Sequence, residues 1–150
     1  PQNHHELYGW ASFKNKQTMT DIMAKVQELT KIENPEITLA AHSGGSFAVE
    51  NILRSCDPND PKDLGHRIRG IALFDAAYKT APDAIIDFMQ KNPDVKLASV
   101  YTDSMKKTNQ RMEKTIPNAK LVVIPESRHG VPWTFPKEFT QQIKNFIKSI

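Results

Sequence analysis

The chain has 150 residues, 39% hydrophobic and 25% charged, the composition of one soluble globular domain. A domain of this length buries about 70% of the surface its unfolded chain exposes, enough for a core without staples, and the single cysteine, Cys56, can close no internal disulfide. Twenty basic against seventeen acidic side chains give a net charge of +3, and their even spread along the sequence argues against nucleic acid as the main partner.

The opening "PQNHHELYGW" lacks the basic and apolar regions of a signal peptide, and no apolar run approaches the length of a bilayer span. One cysteine fixes no compartment, so localisation stays open. A first residue of Pro rather than Met suggests that something upstream has been removed.

In chain order, Met19, Ile22, Met23, Val26 and Leu29 recur at helical spacing and predict an amphipathic helix, which "ENPE" stops. The run "ITLAA" is β-branched at its start and too short for a buried helix, so it reads as a strand; "SFAVENIL" behind it returns to helical spacing. The alternation continues through "GIALF" (strand), "PDAIIDFMQ" (helix), "VKLASVY" (strand), "SMKKTNQRMEKTI" (helix) and "KLVVI" (strand). A last helix carries Phe139, Ile143, Phe146, Ile147 and Ile150 on one face. Apolar strands alternating with helices imply an α/β fold, a mainly parallel sheet covered on both sides as a three-layer sandwich.

In such sheets, ligands and reactive groups gather at the carboxyl ends of the strands. Those ends read "AAHSGGS", "FDAAY", "YTDS" and "IPESRHGVPW", which puts a hydroxyl, two carboxylates and an imidazole at one rim. A serine hydroxyl becomes a useful nucleophile when an imidazole takes its proton and a carboxylate fixes the imidazole's tautomer. The turn presenting that serine must be sharp, and Ala41 and Gly45 flank Ser43 with small side chains.

With these residues in place, the sequence resembles the α/β-hydrolase family, esterase- and lipase-like members included, whose elbow reads small-x-Ser-x-small and whose triad runs Ser, acid, His along the chain. "AHSGG" has Ala41 where Gly is usual. The resemblance implies Ser43 as nucleophile, His129 as base, and Gly44 as a backbone donor to the oxyanion. For the acid, Asp103 after the third strand is the family's commonest position and Asp75 after the second is the alternative. The implied activity is hydrolysis of an ester-type bond in a small molecule through an acyl-enzyme, with no metal or organic cofactor. A hydrolase-like module that binds or assembles without catalysis is the competing function class.

His42 reads as a packing residue, and His4, His5 and His66 have no partners at metal-ligand spacing. Phe47, Met105, Trp133 and Phe135 fall near the rim as candidates either for an acyl pocket or for core. In the family the elbow follows several strands and a loop bearing a second oxyanion donor, whereas here only one helix precedes Ser43. That difference implies that residues 1–150 form a single domain that is the C-terminal portion of a larger hydrolase, or a reduced fold. It also implies a homo-oligomer or a partner fragment that completes the sheet.

Overall fold

A computed structural model describes residues 10–117, 119–124 and 135–148. After a 3-10 turn at Trp10–Lys14, helix α1 spans Lys16–Thr30. Asn15 caps it by accepting the Gln17 N–H at 3.0 Å on its side chain. Lys31, in the left-handed region at φ 59°, closes it by donating to the Gln27 carbonyl at 2.9 Å.

The four strands are β1 (Ile37–His42), β2 (Ile68–Phe74), β3 (Lys96–Tyr101) and β4 (Lys120–Val123). They pair in parallel in the order β1-β2-β3-β4. The joining helices are α2 (Ser46–Ser55), α3 (Ala81–Lys91) and α4 (Lys106–Thr115), and α5 (Pro136–Ile147) comes last.

Alternation along the strands sorts the side chains into two cores. Ile37, Leu39, Ala41, Ile71, Leu73 and Leu97 meet the buried faces of α1 to α4. Ala72, Phe74, Ala98 and Val100 point the other way, onto Phe139, Ile143 and Phe146 of α5. Phe74 and Phe139 meet edge-on with ring centroids 4.6 Å apart. Gly70 permits the close approach of Phe146, because a Cβ there would lie 3.2 Å from the Phe146 ring and 3.1 Å from Thr38 Oγ1. The helix-sheet-helix layering and the all-parallel sheet match the α/β expectation, and the loops from β1 to α2, β2 to α3 and β3 to α4 leave from the sheet's carboxyl edge.

The first helix forms where the spacing predicts it, and its apolar stripe is covered over only part of its length. The α1 stripe is buried at Met19 and Met23, but Val26 is 36% exposed and Leu29 70%, with Ile32 just beyond the helix at 55%. Periodicity identifies a helix's apolar face without saying how far the neighbouring layer extends, and here the described residues cover only its first half. At the same side of the sheet, β1 pairs with β2 alone among the described residues. Its Thr38 and Ala40, on the α5 face, are exposed. None of the described helices is long and apolar enough to cross a membrane.

Candidate functional site

β1 runs extended through His42 (φ −116°, ψ 138°), and the chain then reverses within a single residue. Ser43 sits at φ 54°, in the left-handed region, and opens a 3-10 turn, Ser43–Gly45, that continues into α2. That conformation costs an L-residue about 1–2 kcal/mol, and backbone strain of this kind gathers at functional sites. It holds the serine at the apex of the turn, above the amino end of α2.

The flanking small residues have a measurable reason. A Cβ built on Gly45 would meet the Ala41 Cβ at 3.5 Å, ordinary contact that leaves room for a methyl and little more. Ala41 is itself buried beneath the turn. At Gly44 a Cβ would meet nothing within 4 Å, so the space beside the residue after Ser43 is open to a ligand among the described residues. At a helix amino end the first N–H groups lack intrahelical partners and favour negative charge.

Asp75 follows β2 and is 0% exposed. Its N–H donates to the Val100 carbonyl at 2.8 Å, extending the β2–β3 ladder by one residue, and its φ of 47° then turns the chain off the sheet. Asp tolerates this left-handed conformation better than most residues. One carboxylate oxygen, Oδ1, accepts from both the N–H and the hydroxyl of Thr102, at 3.1 and 2.8 Å. A buried carboxylate needs such donors, and Thr102 supplies them from the end of the neighbouring strand.

The chain then dips through Ala76 and Ala77, 0% and 2% exposed, and rises at Tyr78. The Tyr78 hydroxyl shares a side-chain hydrogen bond with Ser43, and the Asp75 charge acts on it. Burial first, and Asp75 second, push the Tyr78 hydroxyl above its usual pKa, outweighing the opposing effect of Ser43. A phenol is protonated at neutral pH at its ordinary pKa, and this shift moves it further from ionisation. Beyond it, Lys79 adopts φ 47° and holds its ammonium 5.6 Å from the Phe47 ring centroid. Thr80 donates to Glu50 on α2 at 2.8 Å. Ala11, Lys14, Phe47, Glu50, Asn51 and Lys79 line a cavity of about 300 Å³ beside this loop.

Of the residues expected from sequence, Ser43 and Gly44 lie at the elbow as described. Asp103 opens the 3-10 turn Asp103–Met105 behind β3 with its side chain exposed, and α4 begins without a side-chain cap. His129 lies outside the described residues, as do Trp133, His4 and His5. His42 is half-buried at the end of β1, and the His66 ring meets the Pro58 carbonyl through Nδ1 at 3.2 Å. Phe47 lines the cavity, Met105 is half-buried, and Phe135 packs on the α5-side core. Among the described residues no three His, Cys, Asp or Glu side chains group as a metal site would.

Tyr78 and Thr102 are the additions that the structure makes to this rim. The nearest hint in the sequence was "DAAY" itself, where two small residues after a carboxylate let the chain dive under and return.

The fold and rim thus define an α/β protein with a left-handed serine at the first strand-to-helix turn and a buried carboxylate after the next strand. No protein-family model matches the chain, and no curated protein is significantly similar to it.

Proposed function

We propose that the protein is a serine hydrolase of the α/β-hydrolase type that cleaves an ester-type bond in a small molecule. The observation that carries the reading is Ser43: a non-glycine residue in the left-handed region, between a parallel strand and a helix, with an open position at Gly44 and a buried carboxylate at the adjacent strand end. Lys31, Asn34 and Lys79 share the left-handed conformation; what supports the reading at Ser43 is its coincidence with a strand-to-helix turn and a neighbouring buried carboxylate.

In this reading Ser43 Oγ attacks the ester carbonyl carbon while His129 takes its proton. The carbonyl oxygen becomes an oxyanion that the Gly44 N–H stabilises. The intermediate collapses, the bond to the alcohol oxygen breaks, and His129 protonates the departing alcohol. Water then attacks the acyl-enzyme, gives a proton to His129, and the carboxylic acid leaves as Ser43 regains its proton.

For the acid, the geometry favours Asp75 over Asp103. A carboxylate that orients a histidine is buried and held by donors of its own; Asp75 has both properties, and its neighbour Tyr78 reaches Ser43. Asp103 is exposed.

Steady-state turnover of a p-nitrophenyl ester tests the reading. Ser43→Ala and His129→Ala are each expected to lower kcat by about 10⁴–10⁶ because members of such a unit act together. Turnover retained in folded Ser43→Ala protein refutes it. The exposed Leu29 and Ile32 and the edge strand β1 support the further expectation that a second chain or fragment completes the sheet. Light scattering at high protein concentration checks this, and a monodisperse monomer counts against it.

A further inference from the structure

We propose that Tyr78 is a catalytic residue whose hydroxyl donates the second hydrogen bond to the oxyanion, opposite the Gly44 N–H. The inference rests on the serine hydrolase reading and adds to it a donor from the β2–α3 loop.

Position is the first argument. The Tyr78 hydroxyl is hydrogen-bonded to the Ser43 side chain, so it lies within reach of the oxygen on the carbon that Oγ attacks. Side-chain hydroxyls, tyrosine's among them, serve as oxyanion donors where they are aimed at the developing charge. In the hydrolase reading the Gly44 N–H, in a residue with open space beside it, is one donor, and one donor leaves the charge half held.

Rigidity is the second. An oxyanion donor acts because it is already aimed before charge develops, and the Tyr78 loop is fastened at both ends. On one side Asp75 continues the β2–β3 ladder and Ala76 and Ala77 are sunk in the core. On the other, Thr80 is tied to Glu50 of α2, the helix whose amino end forms the elbow. Glu50 is further held by Arg54 at 3.0 Å. The loop and the nucleophile therefore share one support.

Protonation is the third. A tyrosine phenol is protonated at neutral pH, and burial and the Asp75 charge push this one further from ionisation, so Tyr78 donates a hydrogen bond and does not act as a base. Tyr78 keeps its proton: the carbonyl π electrons move to oxygen as Ser43 Oγ bonds to carbon and its own proton passes to His129, and the Tyr78 O–H shortens its contact to that oxygen.

Tyr78→Phe removes a single oxygen, and thermal unfolding will establish that the variant is folded. The expected result with a p-nitrophenyl ester is a kcat lower by about 10²–10³ with KM within a few-fold. A boronic acid, which forms a tetrahedral adduct on the serine, is expected to lose affinity in parallel. Turnover that depends on Ser43 but is unchanged in Tyr78→Phe overturns this proposal and leaves the hydrolase reading standing. A lower kcat with unchanged boronic acid affinity also overturns it, because that pattern belongs to a residue that only positions Ser43. Turnover that survives Ser43→Ala overturns both.

Discussion

Thr102 gives both its backbone N–H and its hydroxyl to one carboxylate oxygen of Asp75, at 3.1 and 2.8 Å. This pairing joins the ends of β2 and β3 at the rim and holds the buried carboxylate in one orientation. Thr102→Val keeps the side-chain shape and the N–H while removing the hydroxyl. A hydrogen bond to a carboxylate contributes about 1.5–3 kcal/mol, so urea unfolding is expected to show a loss in that range with little change in the denaturant slope. A variant as stable as wild type would show that the hydroxyl is dispensable to the rim.

The two carboxylates separate by substitution. If Asp75 orients His129, Asp75→Asn leaves the imidazole in the wrong tautomer and is expected to lower kcat by about 10⁴, while the exposed Asp103→Asn stays near wild type. Ester turnover of the two purified variants decides it. The reverse result assigns the acid to Asp103, and equal, wild-type rates in both leave a Ser-His pair working without a carboxylate.

Much of this was legible in the residues. The four strands are short, largely apolar and bounded by turn-forming stretches, and they lie where those runs predict, because the central strands of a parallel sheet are covered on both faces. The serine at a strand-to-helix junction was legible for the same reason. The different surroundings of Asp75 and Asp103 were not: each follows a strand, and only the structure shows that Asp75 continues the ladder to Val100 and faces Thr102 across the sheet, with Asp103 exposed. Those contacts depend on the β2–β3 register, which no local pattern specifies. Tyr78 was hidden likewise, since its approach to Ser43 follows from the path of the chain through the two buried alanines before it. The helix α1 was legible but its partial cover was not, because Val26 and Leu29 obey the helical period although the described residues leave them exposed.

Away from the rim, Lys16 of α1 pairs with the side chain of Asp63, which is shut off from solvent. Asp63 also accepts the Gly65 N–H at 2.8 Å, fixing the 3-10 turn Leu64–Arg67 that leads into β2. Burial pushes the Asp63 carboxyl up, but the hydrogen bond from Lys16 and backbone donors outweigh it, and its pKa lies below the usual 3.8. A carboxyl whose folded pKa is depressed contributes stability above its unfolded pKa and loses it as pH falls through the folded value. Unfolding free energy is therefore expected to drop below about pH 4, and Asp63→Asn to flatten that part of the profile. The check is urea unfolding of both proteins at pH 7 and pH 3; parallel losses in the two would contradict it.

The strained serine carries the central claim, and a fluorophosphonate probe reads it most directly. Such a probe bonds covalently to an activated serine oxygen, so peptide mapping by mass spectrometry reports which hydroxyl is nucleophilic without knowledge of the substrate. Stoichiometric labelling confined to Ser43, and lost in folded Ser43→Ala protein, is the result expected here. Folded wild-type protein that takes up no label, or takes it up at another residue, would contradict the account.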